Sequence, residues 1–300
     1  MKRILISGTG QFATNWVINN DNYKNINLTT SNRINFPAKN YKVDYFNHID
    51  LRSLIKDLKP DAIINSAALT NIDYCENNKE FAHKINTIIP RNLSRISGEL
   101  DIPFVQLSTD NFFSKPTEKR DESVTPIPVN TYGETKIKAE FEISNSTQNY
   151  IIVRTNFFGY SPPYAKSSLM KLIGSFENKN DYIGITDWYF NPISVDLVIE
   201  CIGELLIKNY TGIINISGDD CISKHDFAKL FIERLGYSDK TLMKSRLSKM
   251  EKFVERPKIM CIDNDKVKSL LTLNSIGISD QIELYEANLK NKKNLIDSIR

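Results

Sequence analysis

Short apolar runs and longer stretches of helical period alternate along the first half of the chain. The runs at 4–6 (ILI), 62–65 (AIIN), 104–108 (FVQLS) and 151–154 (IIVR) are compact and bounded by turn residues, as strands buried on both faces should be. A further strand is expected at about 26–30, and helices at about 11–20, 50–58, 79–98 and 131–145. This β-α-β-α rhythm predicts an α/β fold: a parallel sheet, doubly wound, with helices on both faces. After Gly159 the regularity loosens at Pro162 and Pro163. A helix is expected at 166–177, a strand and helix at about 182–208, and further alternation to about 236, forming a smaller C-terminal lobe. No low-complexity linker or internal repeat divides the chain.

Composition narrows the partners. The 300 residues are 41% hydrophobic and 25% charged, in the range of ordinary globular proteins. A net charge of +3, from 39 basic and 36 acidic residues, is too even to point to nucleic acid or an anionic membrane. The N-terminal apolar run stops at Ser7, too short for a signal-peptide core, and no apolar stretch is long enough to span a bilayer, so a cytoplasmic protein is expected. Cys75, Cys201, Cys221 and Cys261 lie far apart, without zinc or thiol-redox spacing, and read as isolated, reduced thiols. His48, His83 and His225 fall in separate segments with no Gly-x-Ser-x-Gly elbow, which argues against a hydrolase and against a metal site.

Two motifs carry chemistry. Gly8-Thr9-Gly10-Gln11-Phe12-Ala13 follows the first strand and opens the first helix, the setting of a dinucleotide-binding turn. There the first Gly makes the turn, the second admits a pyrophosphate, and a small third residue lets helix and strand pack; a plain strand-to-helix turn has the same residues. The second strand is followed by Ser31-Asn32-Arg33 instead of an acidic residue, which favours NADP(H) over NAD(H), with NAD(H) still admissible. Further on, Tyr132 and Lys136 stand four apart at a helix start; of thirteen tyrosines Tyr132 alone has Lys at that spacing. An ammonium on the same helix face is expected to lower the phenol's pKa and make it an acid-base group. Ser108 and Thr109 leave a strand at the end that faces the ligand crevice of a doubly wound sheet.

With these motifs in place, the chain resembles the extended short-chain dehydrogenase/reductases, and within them the reductases similar to dTDP-4-dehydrorhamnose reductase. The resemblance runs through the Gly8–Ala13 loop and the segments 65–70, 85–93, 108–113, 132–136, 154–159, 191–198, 214–220 and 255–258. It implies NADPH-dependent reduction of a 4-keto group on a nucleotide-activated deoxysugar. Tyr132 would be the proton donor, Lys136 would tune it and hold the nicotinamide ribose, and Thr109 would hydrogen-bond the substrate carbonyl. Gly8, Gly10, Gln11, Phe12, Asn32, Arg33, Asp50, Leu51, Ala67 and Ala68 would line the cofactor with Tyr132 and Lys136. Thr70, Asp110, Asn156 and Phe157 would face the sugar beside Thr109, and Arg256 its pyrophosphate. Residues 1–158, with 186–215 returning, would hold the dinucleotide; 159–185 and 216–300 would form the substrate lobe. A homodimer is compatible with the resemblance.

Two departures stand out. The family's loop usually has one more residue between its first glycines and ends in Gly, where this chain has Ala13; Asn156-Phe157 stands where the similar reductases often place Trp. The alternatives are an epimerase or dehydratase of the same fold, for which Asp110-Asn111 offers one carboxylate but no Asp-Glu pair, and a noncatalytic NADP-binding regulatory subunit.

Overall fold

A computed structural model describes residues 2–20, 23–30, 36–112, 120–165, 167–237, 241–250, 254–273 and 276–297. The chain runs β1 (Arg3–Ser7), α1 (Gln11–Asn19), β2 (Lys24–Thr29), β3 (Lys39–Lys42), α2 (His48–Leu58), β4 (Ala62–Asn65), α3 (Ile72–Asn77), α4 (Lys79–His83), α5 (Ile89–Glu99) and β5 (Phe104–Leu107). It continues through α6 (Thr131–Ser146), β6 (Tyr150–Arg154), β7 (Phe157–Phe158), α7 (Ser168–Glu177), β8 (Tyr182–Ile185), β9 (Tyr189–Phe190), β10 (Ile193–Ser194), α8 (Val195–Ile207), β11 (Gly212–Asn215), β12 (Ile222–Ser223), α9 (Lys224–Arg234), β13 (Leu242–Ser245), α10 (Asp265–Leu271) and α11 (Ile278–Asp297).

Seven strands form one sheet in the order β11-β6-β5-β4-β1-β2-β3, every pair parallel. Side chains alternate between its faces. Ile4, Ile6, Ile64, Val105 and Val153 pack with Phe12 and Trp16 of α1 and Val198 and Ile202 of α8. Leu5, Ile63, Phe104 and Ile152 pack on the other face with Leu51 and Ile55 of α2, Leu93 of α5 and Ile143 of α6. The order in which strands are added reverses between β1 and β4, so the crevice beyond their C-terminal ends is the place where a doubly wound sheet takes a ligand. A separate cluster holds the C-terminal elements together, with Phe158 edge-on to Phe227 and Phe231 and Tyr285 edge-on to Phe231.

The structure corrects two expectations and adds one strand. The expected 79–98 helix is α4 and α5 joined by a π-helical turn at Lys84–Ile88. The edge strand β3, KNYK, is largely exposed and carries no apolar run, so the sequence pattern holds no signal for it. Cys221 and Cys261 are not isolated thiols: they form a disulfide, with Cα atoms 5.7 Å apart, across 40 residues of sequence. Tertiary packing makes that pairing, so local spacing holds no trace of it. Cys75 and Cys201 are free and buried. Among the described residues no helix is long and apolar enough to cross a membrane, and no cluster of three His, Cys, Asp or Glu side chains is placed to hold a metal.

Candidate active site

The glycine turn is built from two glycines with different duties. Gly8 has φ +101°, and a Cβ there would lie 2.9 Å from the Ala67 backbone nitrogen, so only glycine fits between β1 and the end of β4. Gly10 is the N-cap of α1 with ordinary φ of −75°; no side chain caps the helix, and nothing lies within 4 Å of where its Cβ would be. An uncapped helix start with free amides and open space above it fits the pyrophosphate of a dinucleotide. Ala13 is fully buried under the turn. Tyr164, from the loop after Gly159, donates its hydroxyl to the Thr9 carbonyl at 2.9 Å and so covers the turn's outer side.

The neighbouring expectations divide. The Gln11 side chain donates to the Gly159 carbonyl at 2.8 Å, and Phe12 is buried against Trp16 and Phe157, so these two residues offer the crevice only backbone. Ala67 and Ala68 are half-buried beyond β4, on a loop that Asn86 holds by accepting from the Leu69 N–H at 2.8 Å and donating to its carbonyl at 3.0 Å. Thr70 is exposed at the end of that loop. Asp50 and Leu51 do not stand at a strand end: Asp50 is exposed in the first turn of α2, accepting from Asn47, and Leu51 is a core residue under the sheet. The residues that leave β3 are instead Asp44 and Tyr45, whose hydroxyl accepts from Ser7 at 2.9 Å and donates to the Leu28 carbonyl at 2.8 Å. Since β3 lacks an apolar run, its end could not be located from the pattern. Asn32 and Arg33 lie outside the described residues.

At the other side of the crevice, Asn130 caps α6 by accepting from the Gly133 N–H at 2.9 Å. Gly133 lets the helix start approach Asn111, whose carbonyl would sit 2.6 Å from a Cβ. This sets Tyr132, at 9% exposure, beside Thr109, whose side chain counteracts part of what burial does to the phenol. Burial pushes the Tyr132 phenol up to about 12 against the opposing effect of Thr109. Burial brings the Lys136 ammonium down to about 8 against the charge of Glu140. The expected lowering of the phenol by Lys136 is therefore corrected: the Lys136 Nζ donates to the Leu107 carbonyl at 2.6 Å, and desolvation dominates the tyrosine.

Beneath them Ser108 donates to Glu140, which also receives Arg154 through Nη2 at 2.8 Å and Nε at 3.2 Å, all three side chains buried. This network joins the ends of β5 and β6 to α6, and nothing in the sequence marks it, since Glu140 looks like any helical acid.

Asp110, at 2% exposure, follows Thr109 and accepts from Asn156 Nδ2 at 2.7 Å, so two of the expected sugar-facing residues do meet. Burial raises the Asp110 carboxyl, opposed by Asn156 and by Lys224, a residue that sequence reasoning missed. Phe157 leans on Phe12, 6.1 Å between ring centroids. Arg256 is committed to Asp73, with Nη2 to Oδ2 at 2.9 Å, and lies 5.6 Å over Trp188.

The chain is similar to a probable low-salt glycan biosynthesis reductase of Haloferax volcanii, 26% identical over 84% of this chain and 85% of that protein. It is also similar to a dTDP-4-dehydrorhamnose reductase of Escherichia coli, 25% identical over 65% of this chain and 67% of that one. Among solved structures, a dTDP-4-dehydrorhamnose reductase of Bacillus anthracis in complex with NADP superposes with a TM-score of 0.84 at 22% identity, covering 96% of this chain and all of that one, a likeness of fold. The family model described as RmlD substrate binding domain matches residues 1–287, and to that family the chain belongs.

Proposed function

We propose that the protein reduces a 4-keto group on a nucleotide-activated deoxysugar with NADPH. The observation that carries this reading is the buried Tyr132 beside the buried Thr109, set at the sheet's ligand end with the uncapped turn at Gly10. The relatives' names, glycan biosynthesis reductase and dTDP-4-dehydrorhamnose reductase, agree with it.

NADPH, when bound, supplies a hydride to the carbonyl carbon. Gly8, Gly10 and the first amides of α1 would hold its pyrophosphate, with Ala67 and Ala68 beside them. Tyr132 delivers the proton to the carbonyl oxygen, and Thr109 donates to the same oxygen as charge develops there. A phenol held up at about 12 is protonated at neutral pH, as a proton donor must be. Lys136, one helical turn along, places a positive charge that steadies the phenolate left behind. In this scheme residues 1–158 and 186–215 hold the dinucleotide, and the remaining segments close over the sugar.

The test is to incubate the protein with NADPH and a panel of 4-keto-6-deoxy nucleotide sugars, following NADPH oxidation and identifying the product. The expected result is stoichiometric alcohol formation with at least one sugar; NADPH bound but unoxidised across the panel overturns the reading in favour of a noncatalytic cofactor-binding protein.

A further inference from the structure

We propose that Lys224 and Asp110 together read two adjacent hydroxyls of the sugar beside the reducible carbonyl, which makes Lys224 a specificity residue of the reaction proposed above; the inference rests on that reading. Lys224 opens α9, and its position is fixed by backbone: Ile222 pairs antiparallel with Phe190, Ser223 with Tyr189, and the Lys224 N–H donates to the Trp188 carbonyl at 2.9 Å. Ser223 caps the same helix start, accepting from the Asp226 N–H at 3.0 Å. The side chain then lies on aromatic rings, with Nζ 3.1 Å from the Phe190 centroid and 5.4 Å from that of Trp188. Asn111, next to Asp110, donates to the Met260 sulfur at 3.5 Å, the Met260 N–H donates to the Tyr189 carbonyl at 2.8 Å, and Tyr189 pairs with Ser223, so the start of α9 is held against the end of β5 and the Lys224 and Asp110 charges act on each other.

Asp110 follows Thr109 directly, so whatever meets this pair lies next to the carbonyl that Thr109 holds. An ammonium only donates and a carboxylate only accepts. A hydroxyl that accepts from Lys224 and a neighbouring one that donates to Asp110 satisfy both, with Asn156 keeping the other part of the carboxylate occupied at 2.7 Å. A diphosphate does not suit the place, because the carboxylate repels it. Trp188 and Lys224 come from the C-terminal half of the chain and Asp110 from the end of β5, so the reader assembles only when the two meet.

The test is calorimetric titration of the full chain, preloaded with NADP+, with dTDP and with dTDP-rhamnose, in the wild type and in Lys224→Met. Loss of one hydrogen bond to a charged group predicts about tenfold or more weakening for dTDP-rhamnose and about twofold or less for dTDP. Equal weakening of both ligands assigns Lys224 to the diphosphate and overturns the proposal, as does unchanged affinity for both. A wild type that binds neither ligand removes the nucleotide-sugar reading along with it, whereas wild-type binding with an indifferent variant removes Lys224 alone. Should Lys224→Met fail to fold, the wild type still answers: a dTDP-sugar lacking the hydroxyl next to the reacting carbon must bind about tenfold more weakly than dTDP-rhamnose, and equal affinity overturns the proposal.

Discussion

The ammonium of Lys136 ends on the carbonyl oxygen of Leu107, 2.6 Å away, at the last residue of β5. That bond ties α6 to the strand whose end carries Thr109, so the lysine fixes the distance between the helix that presents Tyr132 and the strand that presents its partner. The position is costly, because the side chain is 2% exposed and burial drags its pKa to about 8.

A pH dependence of folding follows. Between about 8 in the folded chain and the ordinary lysine value of 10.5, the unfolded chain holds a proton that the folded chain has released. Stability therefore rises with pH across that window; below about 8 both states are protonated and the buried charge is most unfavourable. Relative to Lys136→Met, which lacks the group, the wild type should gain about 3 kcal/mol between pH 7.5 and 10.5. Urea denaturation of both proteins at the two pH values measures it. A difference that stays constant would show that Lys136 keeps an ordinary pKa.

The same strand end shows what the sequence could reveal. β1, β4 and β6 are buried on both faces, so their apolar runs locate them, and Thr109, Tyr132 and Lys136 are legible because each sits next to such a run or on one helical turn. Asp50 and Leu51, expected to line the cofactor, lie in the first turns of α2, one exposed and one in the core; β3 is an exposed edge that ends at Lys42 and gives no apolar signal, so the pattern does not mark Asp44 and Tyr45 just beyond it. Helical spacing predicts a Tyr132 phenol lowered by Lys136 because it reports which residues share a face and not how deeply the face is buried. Lys224 reaches Asp110 only through the pairing of β12 with β9, a contact that no periodicity encodes.

The two glycines of the turn separate fold from binding. Gly8→Ala introduces a Cβ 2.9 Å from the Ala67 nitrogen at φ +101°, a strain that should lower stability by about 1–3 kcal/mol. Gly10→Ala meets nothing within 4 Å, so thermal unfolding should match the wild type. Its methyl group, however, enters the space assigned to the pyrophosphate, and NADPH affinity should fall about tenfold or more. Thermal melts with a fluorescence titration of NADPH check both; a Gly10→Ala protein with wild-type affinity would move the cofactor's phosphates elsewhere.

Tyr132→Phe removes a hydroxyl and leaves the ring in its buried place. Thr109 still accepts from the Asn111 N–H at 3.2 Å, so the local structure should survive. Turnover of a reducible nucleotide sugar should drop by about 10²–10⁴, the usual contribution of a positioned acid, while NADPH binding changes by about twofold or less. Single-turnover kinetics beside the same fluorescence titration distinguish the two effects. Unchanged turnover would remove Tyr132 from proton delivery and leave Thr109 as the donor.

The Cys221–Cys261 disulfide fastens the segment that leads into β12 and Lys224 to the segment that follows Arg256. Closing a loop of 40 residues restricts the unfolded chain, and its loss should lower stability by about 2–4 kcal/mol. The double variant Cys221→Ser with Cys261→Ser should therefore unfold at lower urea than the oxidised wild type, and reduction of the wild type should bring it to the same midpoint. Cys75 and Cys201 are buried free thiols whose pKa values burial raises, so they should resist modification in the folded protein and leave the disulfide as the reductant's target. Thiol counting in the native state, before and after reduction, gives two reactive groups more in the reduced protein if the pairing holds. An identical urea midpoint with and without reductant, at equal thiol counts, would mean that the two cysteines do not close this loop in solution.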